Sequence, residues 1–128
     1  GDGFMPYLFT PDQYAEARQR LLQYGAEAGR PATDFAAPMY QFIYAAQSDV
    51  EARHILATRL QESYQQPFER LVPRYCTTGT PDTCRASLQA YVDAGVREFI
   101  LTPPVVNAEE CRQQLDLYAA EILPRLQL

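Results

Sequence analysis

The chain contains no lysine; all eleven of its cationic side chains are arginines. That absence excludes Schiff-base catalysis, a pyridoxal phosphate anchor and a P-loop lysine from these residues. Histidine is nearly as scarce, with His54 alone. His54 falls off the apolar stripe of its helix pattern, which places it on the solvated side and leaves no Ser-His-Asp arrangement to propose. Cys76, Cys84 and Cys111 are an odd number with no pair at two-residue spacing, so zinc coordination is not indicated and no metal is expected. A bridge between Cys76 and Cys84 stays open on spacing; free thiols in a reducing cytoplasm are the expected state. No apolar run approaches the roughly 20 residues that span a bilayer, and no secretory signal is visible. A cytoplasmic protein with no membrane partner is therefore expected. The formal net charge is −5 and the arginines are scattered singly, which gives nucleic acid no basic face to bind.

What is present is a globular composition, 47% hydrophobic over 128 residues, enough for one domain and no second. Gly79-Thr80-Pro81-Asp82 opens a helix: Thr80 is a good cap, and Pro81 sits at the first helical position, where its missing N–H costs nothing. Ala94-Gly95 stops that helix, and Val96 to Thr102 follows as a strand. Thr10-Pro11-Asp12-Gln13 opens an earlier helix whose apolar spacing (Tyr14, Ala17, Leu21, Tyr24, Ala28) predicts its buried face. Phe35 to Ala46 reads as a strand buried on both faces, limited by Pro38 to the part after it. Ser48-Asp49-Val50-Glu51 is a capping box for a helix carrying Ala52, Ile55, Leu56, Leu60 and Tyr64. Phe68, Leu71 and Val72 suggest a short extra helix. Asn107-Ala108-Glu109-Glu110 is a second capping box, for a last helix carrying Cys111, Leu115, Tyr118, Ile122 and Leu123. The Glu109-Glu110 pair falls in a helix first turn, where acids favour the dipole, so paired-carboxylate catalysis is not expected there.

Strands alternating with helices imply a parallel sheet with right-handed crossovers, an α/β fold. Two full strands and a fragment cannot make a stable sheet covered on both faces, whereas a closed (β/α)8 TIM barrel needs about 250 residues. These residues would supply its last two units and the end of a third. The expectation is the C-terminal part of such a barrel, from the end of strand six through the last helix. The chain opens on Gly1 and not Met, so a beginning after a cut is expected.

Several motifs in order resemble the second half of luciferase-like flavin monooxygenases. They are Gly1-Asp2-Gly3-Phe4-Met5-Pro6-Tyr7, a Pro-led helix ending Ala28-Gly29-Arg30, Asp49-Val50-Glu51-Ala52-Arg53, Tyr64-Gln65-Gln66-Pro67-Phe68-Glu69, Gly79-Thr80-Pro81-Asp82, and Ala94-Gly95-Val96-Arg97-Glu98-Phe99. The resemblance implies a TIM barrel with its active site at the C-terminal ends of the strands. It implies reduced FMN or a deazaflavin coenzyme, bound largely by residues before this chain begins, and a small organic substrate. Oxygen transfer is the chemistry of the FMN members and hydride transfer that of the deazaflavin members. Phe4 stands where a tryptophan is more usual, so the aromatic wall is kept.

Three residues are candidates for contact with the cofactor: Phe4 just past a presumed strand end, Tyr44 at the end of the middle strand, and Thr102 at the end of the last one. Each has a plainer reading, as a packing aromatic or a hydroxyl bonded to local backbone. The Thr80 helix start offers N–H groups to an anion. Because that helix precedes a strand, it is expected at the opposite, stability face of the barrel, as a simple cap. The expected partners are the missing N-terminal half of the barrel or further copies in a homo-oligomer. The alternative to an oxidoreductase is a non-catalytic α/β module that associates through sheet edges. A cleavage remnant with no function of its own is the third reading.

Overall fold

A computed structural model describes residues 1–31 and 35–128. The elements run α1 (Pro11–Glu27), β1 (Met39–Ala45), α2 (Asp49–Tyr64), α3 (Val72–Tyr75), β2 (Thr77–Gly79), α4 (Pro81–Asp93), β3 (Phe99–Thr102) and α5 (Ala108–Leu117). A π-helical turn, Tyr118–Ile122, and a 3-10 turn, Leu123–Arg125, close the chain. The helices begin where the caps place them. Thr10 accepts the Gln13 N–H while the Gln13 side chain accepts the Thr10 N–H, and Ser48, Thr80 and Asn107 each accept the N–H three residues on. β1 starts directly after Pro38.

The three strands form one parallel sheet in the order β2-β1-β3. Phe42 stands opposite Thr102 on one side of β1, and Tyr44 opposite Thr78 on the other. The N–H of Met39 reaches Glu98 O on the β3 edge, while those of Tyr40 and Ala46 reach Pro6 O and Gly79 O on the other edge. The N-terminal segment, which bridges Ala36 through Gly3 and Tyr40 through Tyr7, therefore lies end to end with β2 along one side of β1. β2 is a strand that the sequence pattern did not reveal. Thr-Thr-Gly is too short to show alternation and reads as the lead-in to α4.

Met39, Ile43 and Ala45 pack under α1, α4 and the C-terminal helix, with Tyr14, Leu88, Tyr91 and Tyr118. Phe42 and Tyr44 point the other way, into a second core made by Ala52, Leu56 and Leu60 of α2 and by Phe68 and Val72. A closed βα barrel carries its helices outside. The first face is thus the outer one, and α2 crosses the face that a barrel keeps as its lumen.

Two expected helix faces need correction. On α1 only Tyr14 and Gly25 are buried; Ala17 and Leu21 are half-buried, and Tyr24 and Ala28 are exposed, because α1 touches the sheet only near its start. On the last helix the buried line is Gln114, Tyr118 and Ile122, whereas Leu115 and Leu123 are exposed. The π turn adds a residue to that winding and shifts the register of everything after it.

Candidate functional site

The C-terminal ends of the strands do not stop level. The N-terminal segment ends its pairing at Tyr7 beside Tyr40, and β3 ends at Thr102 beside Phe42. β1 runs on to Ala45 with β2 as its only partner strand among the described residues. On the lumen face at this step, Met5, Tyr7, Tyr40 and Tyr64 line an open recess of about 360 Å³. Its rings meet edge to face, at 6.1 Å for Tyr7–Tyr40 and 5.4 Å for Tyr40–Phe42. Tyr7 and Tyr64 remain 42% and 45% exposed, so this is a wall awaiting a neighbour and not a filled core. Burial, aided by Tyr64, Cys76 and Tyr40, raises the Tyr7 phenol and keeps it a neutral donor.

Deeper on the same face is a polar cluster. The Tyr44 hydroxyl donates to Glu110 Oε1 at 2.6 Å, and Arg59 of α2 pairs with the same oxygen at 2.8 Å. Arg59 also donates to Pro104 O at 2.7 Å and lies over the Tyr44 ring, 5.0 Å from its centre. The second Glu110 oxygen accepts the Val106 N–H at 2.9 Å. The Arg59 and Glu110 side chains are only 20% and 17% exposed. Burial alone would raise the Glu110 carboxyl; the bonds from Tyr44, Val106 and Arg59 outweigh it and hold the group below its ordinary value. Tyr44 moves the other way, raised by burial first and then by the Glu110 charge. The cluster ties β1, α2 and the loop before α5 together.

The Thr80 helix start lies elsewhere than expected. β2 pairs parallel with the last residues of β1, so α4 leaves from the C-terminal edge of the sheet, as every helix that follows a strand must. No vacant anion site results. Asp49 Oδ1 accepts the Thr80 N–H at 2.8 Å, and this bond, with the Thr83 hydroxyl, keeps the Asp49 carboxyl low. A carboxylate of the chain itself already occupies the positive end of α4.

Of the three residues singled out for cofactor contact, the structure brings two to one face. Tyr44 is in the polar cluster, and Thr102, in register with Phe42, points to the same side of the sheet. Phe4 does not join them. Its N–H bonds Ala36 O at 2.8 Å, before β1 begins, and its ring packs edge-on against Phe9 in a groove along α1 with Leu21 and Tyr24. Sequence reading did not single out Tyr7, Tyr40, Tyr64 or Arg59 as site residues, and it assigned Glu110 only to the dipole of its helix. Alternating Tyr40, Phe42 and Tyr44 in β1 was the available signal for the aromatic wall. Nothing in the spacing pairs Arg59 with a residue fifty-one positions on. His54 is exposed, and the three cysteines are free. Among the described residues no group of His, Cys, Asp and Glu is placed to hold a metal, and no helix is long and apolar enough to cross a membrane.

No family model and no curated protein sequence matches this chain. Solved structures do. An F420-dependent secondary alcohol dehydrogenase, in complex with an F420–acetone adduct, superposes with a TM-score of 0.77 at 14% identity, over 100% of this chain and 44% of its own. A coenzyme F420-dependent tetrahydromethanopterin reductase from Methanopyrus kandleri gives 0.74 at 12% identity, over 99% of this chain and 46% of its own. The monooxygenase RslO1 from Streptomyces bottropensis gives 0.71 at 21% identity, over 95% and 40%. These are luciferase-like TIM barrels, and the chain has the fold of part of one. It spans less than half the length of each.

Proposed function

We propose that the chain is the C-terminal portion of a luciferase-like flavin- or deazaflavin-dependent oxidoreductase acting on a small organic substrate. The observation that supports this most is the superposition of essentially the whole chain on such enzymes, oxygenases and F420-dependent enzymes alike. The unfinished sheet supports it: among the described residues β3 has no partner on its outer edge, and the aromatic recess lies on the face that a barrel encloses.

The residues present fit one half of a flavin. Tyr7, Tyr40 and Tyr64 offer an apolar wall for a ring, with the Thr102 hydroxyl on the same face of the sheet, across β1. They do not fit the phosphate. The start of α4 holds Asp49, the start of α5 holds Asn107, and Arg59 is engaged by Glu110. The phosphate then belongs to the remainder of the barrel. When bound, the coenzyme supplies the oxygen- or hydride-transfer chemistry. This chain extends the sheet and walls the opening, with the Tyr7 phenol at its rim and the Tyr44 phenol deeper, bonded to Glu110.

The test is a titration of the full-length product containing this segment with FMN and with a deazaflavin coenzyme, followed by absorbance and fluorescence. Saturable binding of one of them, weakened by Tyr40→Ala, is the expected result. Binding of neither overturns the reading and favours association through the open β3 edge, the one feature that supports a non-catalytic module.

A further inference from the structure

The path of the chain makes a second crevice, away from the recess. After β1 it leaves to the lumen face through α2; after β2 it leaves to the outer face through α4. Where neighbouring parallel strands send their connections to opposite faces, the space outside their carboxyl ends is left open, and open α/β sheets bind ligands there. A cavity of about 500 Å³ lies at that point. Its floor is the exit of both strands, Ala45-Ala46-Gln47 and Thr80-Pro81. Ile55 of α2 and Leu117 of α5 give it apolar walls. The π turn that follows Leu117 contributes Glu121, and such turns recur at functional positions in helices.

The lining also fixes the sign of what can enter. Glu51 and Glu121 both face the cavity, and among the described residues neither carboxylate has an ion-pair or hydrogen-bond partner. None of the residues around it is an arginine or the histidine. At the start of α4, where N–H groups would draw an anion, the Thr80 N–H is taken by Asp49, the Thr83 N–H by the Thr80 hydroxyl, and the Asp49 carboxylate stands beside them. Gln114 is buried and turns its carbonyl and one N–H to Ala45. Apolar walls, two carboxylates and no cation suit a molecule with a charged nitrogen and an apolar body. We infer that this crevice is a binding site for a small organic ammonium compound. The inference does not depend on the flavin reading.

The experiment is a titration of the full-length product containing this segment with phenethylammonium, followed in amide NMR spectra, with phenethyl alcohol and 3-phenylpropionate as the neutral and anionic counterparts. Saturable shifts at Ala46, Gln47, Thr80 and Glu121 are expected. The cation should bind about fivefold more tightly than the alcohol, the scale of a partly exposed ion pair, and more weakly as salt is added. The double change Glu51→Gln and Glu121→Gln lies on exposed side chains. It should bring the cation down to the affinity of the alcohol. Shifts confined to other residues, equal binding of the anion, or a cation preference that survives the double change would each overturn the assignment. None of these results bears on FMN or deazaflavin binding, which is read separately.

Discussion

Gln114 shows how one side chain can stand in for a strand. β3 ends at Thr102 beside Phe42, so the same edge of β1 beyond that point has no strand partner among the described residues. The Gln114 amide accepts the Ala45 N–H at 3.0 Å and donates to Ala45 O at 2.9 Å, as a neighbouring strand would. Tyr118 completes the patch by donating to Ile43 O at 3.1 Å. Gln114→Leu should cost about 2–4 kcal/mol in urea unfolding, because it leaves a buried donor and acceptor without partners; a loss under 1 kcal/mol would contradict this account. Gly79 is held as tightly. Its φ is +143°, and an added Cβ would stand 2.7 Å from the Thr83 Cβ, so Gly79→Ala should lower stability by at least about 1–3 kcal/mol. The thiols separate by environment. Burial pushes Cys76 and Cys84 up to about 12, whereas Cys111 is half-buried. A disulfide reagent at pH 8 should therefore titrate one thiol in the native protein and three in denaturant. A hydrophobic pattern cannot find Gln114, since a buried polar side chain reads as a gap in the stripe until its backbone partners are known.

At the scale of elements, the ends were legible and the faces only in part: the buried line of α2 and the two buried faces of β1 hold, and those of α1 and the last helix do not. Thr10, Ser48, Thr80, Asn107 and Pro38 mark boundaries through their own backbone chemistry, and those boundaries hold. The side of the sheet that α2 covers depends on β2, a strand of three residues, and on a pairing distant in sequence. Arg59 fastens α2 to the first turn of α5 through Glu110 and to the loop before it through Pro104 O. The pH dependence of the Arg59–Glu110 pair has a definite sign. Glu110 titrates below its ordinary value of 4.5 in the folded chain, so its contribution is complete above that value. The contribution is lost as the pH falls through the depressed one. Glu110→Gln should lower stability by about 1–2 kcal/mol at pH 7, where a charge-assisted bond is replaced by a neutral one. The melting temperatures of the two proteins should converge as the pH falls below 4.5 and through the depressed value. A constant difference down to pH 3 would show that the carboxylate charge is not what holds α2.

At the scale of the whole molecule, the question is what meets the open strand. β3 carries Phe99-Ile100-Leu101-Thr102, a run with no charge, yet none of the four is buried and Ile100 is 39% exposed. The central strand β1 buries all of its residues but Tyr40. A sequence fit for the middle of a sheet has been left at its edge, with no proline or lysine within it to discourage pairing. On one side of β3 stands β1; on the other a barrel would place its first strand. The chain by itself should therefore associate through β3, reversibly and with rising concentration, in sedimentation velocity runs. Ile100→Lys puts a charge on that edge and should shift the association at least about tenfold toward monomer, the equivalent of about 1.4 kcal/mol per contact. In the full-length product the same change sets a charge on the lumen face, on the side of the sheet that carries Tyr40, so there it should instead unfold the protein or abolish coenzyme binding. If Ile100→Lys left the full-length product stable and active, β3 would be a natural edge and the barrel reading would fail.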